Sequence, residues 1–510
     1  MMRLIAVDYR ERTQQFSFRI LAVIALFAAV ILAPRPKGNF RVLVLDPQYF
    51  AQANNPTWLP IGVACVLSLF FPLVSLVIAR QGIHADRENG VLTYLLTTKL
   101  RRFRYLASQF LVSCCLLFTI LVLVMLGSGL MLLIQYHGQG LSLSQFLSPF
   151  FSLVPGIFLI SGLGVLSETL PGLRGQLGTT VLVIALLTLY AMMTTMTWYS
   201  QLFNFSGIAF LMAMIRQSAI SAGHPLNTVL MLGGNDHLSR TGTHQLIFQP
   251  LALTQTEWLA IGGTVLMSIV LVLLAPFCLE HRPLHQKTNS GKSKLTVDLP
   301  RPKDDRFHSA RTNNFRWQQL LGQQAHRLFH SQNKWWWLVA IGLWLLAWVV
   351  PVGSLRGMIL PIQYLWAMSF FSQIGWPDDL NGLSAWEGTL NHATRRAINS
   401  TLWLSVAFSL LLLLPTLLRQ GIVAWPLLGW AIMLPVVSLM LGQLTKSGQW
   451  SQLLGTVILF LVVCGLTGPL PLATSIVGMV TGAVYSLIAV GCWIVIEVRE
   501  GNGINIAERL

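Results

Sequence analysis

The sequence predicts an all-α, polytopic membrane protein with about twelve transmembrane helices. Three observations carry that prediction. Of 510 residues, 54% are hydrophobic and 10% charged, with a mean hydropathy of +0.63. A soluble domain carries about 25% charged residues, so most of this chain belongs in lipid. Apolar runs near the ~20 residues needed to cross a bilayer recur throughout. They lie at roughly 18–34, 58–79, 107–135, 146–167, 176–198, 258–279, 335–352, 358–375, 401–418, 421–444, 453–472 and 474–496. The formal charge of +16 is also lopsided. With a cytoplasmic N-terminus and every run crossing, 27 of the 34 Lys and Arg fall on the cytoplasmic side. The seven exceptions are Arg35, Lys37, Arg41, Arg216, Arg240, Arg356 and Arg419. That asymmetry orients the chain with both termini in the cytoplasm, as expected of a bacterial inner-membrane protein.

The basicity therefore reports topology. Lys and Arg flank the spans and form no separate basic domain, so nucleic acid is not an expected partner. The first apolar run has no clear cleavage motif after it and reads as an uncleaved span. The six cysteines lie inside or at the ends of apolar runs without CxxC spacing, which supports neither a disulfide framework nor a zinc site.

One long polar stretch, about 280–334, divides the chain. The predicted organisation is a first six-span half at 1–280, a cytoplasmic linker at 281–314 and a second six-span half at 315–510. The linker is rich in Lys, Asn, Ser and Pro. After it, Trp317, Leu320, Leu321, Ala325, Leu328 and Phe329 recur at helical spacing among Arg316, Gln323, His326, Arg327 and His330. This predicts an amphipathic helix at the membrane surface. The chain opens the same way, with Leu4, Ile5, Val7 and Tyr9 among Arg3, Asp8, Arg10, Glu11 and Arg12. Leu21–Leu26 and Leu338–Leu343 follow these segments with similar apolar sequences, and Gly90-Val91-Leu92 is echoed by Gly388-Thr389-Leu390. Two landmarks in the same order point to an internal duplication.

The halves are unequal. The first carries external segments near 35–57 and 199–256, the second only short connections. Within the longer insert, 207–215 is apolar but too short to span, and reads as a re-entrant or interfacial helix. Trp58, Trp198, Trp258 and Trp335–Trp337 sit at span ends, where an aromatic belt is expected. Gly127-Ser128-Gly129 and Gly162-Leu163-Gly164 read as helix-crossing points.

The acidic residues fall at span ends or in loops, with Glu168, Glu257 and Glu497 nearest the membrane. The lack of a mid-span carboxylate argues against an ion-coupled carrier. Ser290-Gly291-Lys292-Ser293 resembles the end of a phosphate-binding loop, but Gln286 stands where its first glycine belongs. No catalytic, cofactor or metal site is predicted.

The most informative polar segment is Asp86-Arg87-Glu88-Asn89-Gly90-Val91-Leu92, followed by the basic run 99–104. It reads as a short cytoplasmic helix capped by Asp86, with Leu92, Leu95 and Leu96 on its apolar face. Glu88-x-Gly90-x-Leu92 with Arg102 ahead of a long third span resembles the cytoplasmic loop of type-2 permeases of ATP-binding-cassette exporters. In that family this segment is a coupling helix that docks on the ATPase. An amphipathic elbow precedes the first span, six spans form each half, and a short re-entrant element lies between spans five and six. The resemblance implies that Asp86, Arg87, Glu88, Gly90, Arg101 and Arg102 contact an ATPase, with Glu387 and Gly388 as a degraded second copy. It implies two ATPase subunits or a fused pair that bind ATP and magnesium, none of which this chain holds. The expected cargo is hydrophobic or amphipathic: a small molecule, a lipid-like compound or a peptide. Two alternatives stay open from the residues alone. One is a major-facilitator-like carrier, whose loop between spans two and three is similar to Gly82-x-x-Ala85-Asp86-Arg87. The other is a membrane scaffold or sensor.

Overall fold

A computed structural model describes residues 2–32, 41–46, 48–51, 55–88, 92, 102–137, 141–195, 204–226, 229–233, 242–250, 254–279, 317–330, 332, 334–355, 359–374, 393–445, 448, 450–455 and 476–501. Helices dominate them. In the first half these are α1 (Met2–Gln14), α2 (Phe16–Leu32), α3 (Trp58–Glu88), α4 (Arg102–Tyr136), α5 (Leu143–Phe151), α6 (Val154–Thr169), α7 (Gly175–Thr195), α8 (Ile208–Ser221) and α9 (Gln255–Cys278). After the polar stretch come α10 (Trp317–His330), α11 (Lys334–Val349), α12 (Leu360–Phe371), α13 (Ala393–Gln420), α14 (Leu427–Thr445) and α15 (Ile476–Gly501).

Among the described residues, seven helical stretches are long and apolar enough to cross a membrane: 58–87, 102–136, 143–169, 257–278, 399–420, 427–445 and 479–496. The chain is therefore a multi-pass membrane protein by length and composition. Apolar runs expected to span also form the shorter apolar helices 18–27, 178–190 and 335–349. Most of the expected run at 453–472 lies outside the described residues, as does the 281–314 linker. The amphipathic segments at the start of the chain and after the linker are helices α1 and α10, and the apolar insert is helix α8.

One element departs from the all-α expectation. Strands β1 (Arg41–Leu45) and β2 (Val229–Gly233) pair antiparallel, Leu43 opposite Met231 and Leu45 opposite Val229. Each strand lies in a different insert of the first half, so a local pattern could not reveal their pairing. The inserts close over the start of α3. Trp58 is fully buried there, donates its indole N–H to Leu246 O at 3.2 Å, and meets Phe248 edge-on. It is a core residue rather than part of an interface belt. Asn204 is also fully buried.

Small residues set the crossings. A Cβ on Gly162 would lie 2.9 Å from Ser268 O of α9, and one on Gly164 would lie 2.6 Å from the Ala79 Cβ of α3. Gly429 of α14 likewise faces the Gly482 backbone of α15. Close approach gains dispersion contacts that lipid-facing surfaces do not gain.

Four of the long helices carry an internal proline, at Pro72, Pro276, Pro415 and Pro435, and in two of them a neighbouring helix supplies a substitute donor. Pro72 of α3 has no N–H, which releases the carbonyl of Ser68. Tyr190 of α7 donates its hydroxyl to that carbonyl at 2.6 Å. Pro415 of α13 releases Leu411 O, and Trp344 of α11 donates its indole N–H there at 2.9 Å. A freed carbonyl in hydrocarbon has no water to turn to, so a side chain from a neighbouring helix takes the role.

The same helix pairings occur on both sides of the linker. α1 and α2 lie on α4, as α10 and α11 lie on α13. α3 meets α4 and α6, as α12 meets α13 and α14. α4 packs on α6 and α6 on α9, as α13 packs on α14 and α14 on α15. The two sides join where α7 meets α12, near a 2.8 Å hydrogen bond from Gln452 to Thr180.

Candidate functional site: a charged cluster at the end of helix α3

At 1.5 Å per residue, the 31 residues of α3 extend about 46 Å, beyond the ~30 Å hydrocarbon core. Its last three turns lie at the end that the basic run 99–104 follows in the sequence. They carry Arg80, Gly82, Asp86 and Arg87.

The crossing of α3 with α6 builds the first part of the site. Gly164 lets α6 touch α3 at Ala79, and Glu168 lies one turn further on the same face of α6. It meets Arg80. The Arg80 Nε and Nη2 donate to Glu168 Oε1 at 2.9 and 2.5 Å, and Nη2 also donates to Leu173 O at 2.6 Å. Both residues are 1% exposed. Arg87, two turns along α3, completes the other side of the carboxylate. Its Nη1 donates to Glu168 Oε2 at 3.1 Å and its Nη2 to the Glu168 carbonyl at 2.7 Å. The carboxylate thus holds two guanidiniums, as a buried charge requires.

The second part ties the elbow helix to the same turn. Asp86 accepts hydrogen bonds from the Tyr105 hydroxyl at 2.6 Å and the Gln109 amide at 3.4 Å, both from α4. The Gln109 amide also donates to Asp8 Oδ2 of α1 at 3.2 Å, and Arg12 of α1 donates to Gln109 Oε1. The Arg12 guanidinium lies flat against Gly82, in the space that any side chain at 82 would fill. Burial holds the Asp8 carboxyl above its ordinary range, opposed by Arg12 and reinforced by Asp86 and Glu11. Burial likewise lowers the Arg12 guanidinium, opposed chiefly by Asp8 and Asp86.

Three carboxylates and three guanidiniums thus join the ends of α1, α3, α4 and α6. The cluster contains no nucleophile set against a base. What it does physically is fix the last turn of α3 to three neighbours, so that displacement of that turn moves them together.

Several expectations change here. Asp86 does not cap a short helix, because α3 runs unbroken through it to Glu88. Leu92 is helical and buried beside Ile83, Tyr105 and Val165. Asp86 and Arg87 are half-buried and bonded within the chain, not projecting charges. Glu88 is the last residue of α3, and Arg102 is the half-buried first residue of α4. Gly90, Arg101, Glu387 and Gly388 lie outside the described residues. The sequence marked Glu168 as a span-end carboxylate but did not reveal its burial. Its signal was Gly164 four residues earlier, which meets α3 at Ala79, next to Arg80.

In the two inserts, the Tyr49 ring stacks with the imidazoles of His224 and His244, with centroids 3.8 and 4.4 Å away. No metal-binding group of three or more ligands occurs among the described residues.

No family model, curated protein or solved structure matches this chain.

Proposed function

We propose that the chain is the membrane permease of an ATP-binding-cassette exporter, two six-span halves in one polypeptide, driven by a separate ATPase. The observation that carries this reading is the repeated helix pairing. An amphipathic helix and the span after it lie on the same later span on both sides of the linker, which suits two halves rocking about their junction at α7 and α12. The cluster at the base of α3 supports it further. A push on the loop after Glu88 would be delivered to α1, α4 and α6 as one body, because buried charge pairs resist separation. In this mechanism ATP closes the ATPase dimer, the loops at the cytoplasmic base move, and the pathway changes the side to which it opens. The cargo would be hydrophobic or amphipathic, and the chain itself would hydrolyse nothing. Its membrane would be the bacterial inner membrane, with both termini in the cytoplasm.

The test is reconstitution. The full chain, purified from its native membrane in mild detergent and cross-linked before lysis, should carry a subunit with a nucleotide-binding loop. The complex should hydrolyse ATP and the chain alone should not. ATP hydrolysis by the isolated chain, or substrate uptake driven by a proton or sodium gradient without ATP, would overturn the proposal.

A further inference from the structure

Arg12, Arg80 and Arg87 are matched within the chain, the first by Gln109 and the others by Glu168. Arg3, Arg10, Arg19 and Arg104 are not. They are exposed, and their side chains have no hydrogen bond or ion pair among the described residues. All four belong to one group of helices, because α1 and α2 both lie on α4. Arg12 ties α1 to Gln109, which stands within two turns of Arg104 on α4.

Their placement follows the helix faces. On α4 the exposed positions Arg104, Leu111, Cys115, Val122 and Leu126 alternate in steps of seven and four, which is one face of a helix. On α2 Arg19 stands one turn before Val23 and two before Phe27, both exposed. Each helix thus opens an acyl-facing stripe with an arginine, at the level where headgroups meet hydrocarbon. Only Gln15 separates α1 from α2, so α1 ends where the stripe on α2 begins. Asp8 and Arg12 face α4, whereas Arg3, Ala6, Val7 and Arg10 share the exposed face of α1. Glu11 is the only exposed carboxylate among the described residues of these three helices, against four exposed guanidiniums.

We infer that the exposed face of α1 and the first turns of α2 and α4 form a surface that binds anionic phospholipid in preference to zwitterionic phospholipid. A guanidinium forks onto two phosphate oxygens, and an anionic lipid does not share its phosphate with an ammonium of its own. The apolar stripes that continue from Arg19 and Arg104 take the acyl chains, which a soluble acidic partner would leave uncovered. Arg12, on the other face of α1, lies against Gly82, so lipid held here adds to the grip of α1 on α3 and α4. The surface involves no ATPase, so its failure and the failure of the exporter reading are separate results.

The probe pair is dioleoylphosphatidylglycerol and dioleoylphosphatidylcholine, which share their acyl chains and differ in net charge. The full chain in mild detergent is titrated with each, and bound lipid is counted by native mass spectrometry. Phosphatidylglycerol should bind about fivefold more tightly, the factor that one basic residue gains near an anionic surface. The joint change Arg3→Gln, Arg10→Gln, Arg19→Gln and Arg104→Gln should remove most of that preference. Arg216→Gln, at an exposed arginine of α8, should leave it unchanged. Equal binding of the two lipids to the wild-type chain overturns the inference. A preference that survives the fourfold change, or that Arg216→Gln lowers as much, also overturns it. If the fourfold variant does not fold, the pair Arg3→Gln with Arg10→Gln decides: it should lower the preference, and an unchanged preference overturns the inference.

Discussion

Glu168→Gln removes the one carboxylate that two guanidiniums share, and its cost can be worked from their burial. Arg80 is held in the helix contact with a side chain 2% exposed, and its Nε and Nη2 both donate to Glu168 Oε1. Removing one partner of such a pair costs about 3–5 kcal/mol, because the remaining charge stays buried without compensation. Arg87 adds little, since its side chain is 29% exposed and can turn to water or headgroups. Arg87→Gln alone should therefore cost about 1 kcal/mol. The joint replacement Arg80→Leu with Glu168→Leu removes both buried charges and keeps most of the volume. It should lie within about 2 kcal/mol of the wild type, since apolar packing commonly matches a buried ion pair. The assay is equilibrium unfolding in mixed dodecylmaltoside–SDS micelles, followed by tryptophan fluorescence. The reasoning fails if Glu168→Gln unfolds at the wild-type midpoint, or if the double leucine protein is less stable than Glu168→Gln.

Tyr190→Phe should cost about 1–3 kcal/mol by leaving Ser68 O unmet. On a Pro72→Ala background, which restores the helical N–H, the same change should cost less, and an unchanged cost in that double-mutant cycle would refute the repair role. Gly82→Ala should loosen α1, because its new methyl takes the place of the Arg12 guanidinium. A spin label at the exposed Val7 position should report more motion, and on an Arg12→Ala background the glycine change should have no effect. Asp8 carries a folded-state pKa above its ordinary 3.8 through burial. Ionised Asp8 is thus disfavoured in the folded state, and stability falls as pH rises from near 3.8 through the folded value. The same Val7 label should become more mobile across that window, and Asp8→Asn should flatten the response; a label that tightens with rising pH would contradict the sign.

The sequence by itself determined that this is a multi-pass helical membrane protein. The physical reason is strong: in lipid every backbone polar group must bond internally, so a long apolar run has few choices besides a helix. It also located α1 and α10, because amphipathic periodicity is local, and it marked Gly162 and Gly164 as crossing points, because only small residues let helices touch. Composition and spacing could not supply the partners. Arg80 sits inside a helix and Glu168 at the end of another, 88 residues apart, and only the crossing at Gly164 makes them a pair. The segment 86–88 looked like a projecting helix because its charges are dense. Tertiary structure made it the end of α3 and turned Asp86 and Arg87 to α4 and α6. The strands at 41–45 and 229–233 and the donors at Pro72 and Pro415 also depend on residues far apart in the chain, with no local periodicity to announce them. What lies within one helical turn could be read directly; what required two helices to meet was decided by packing.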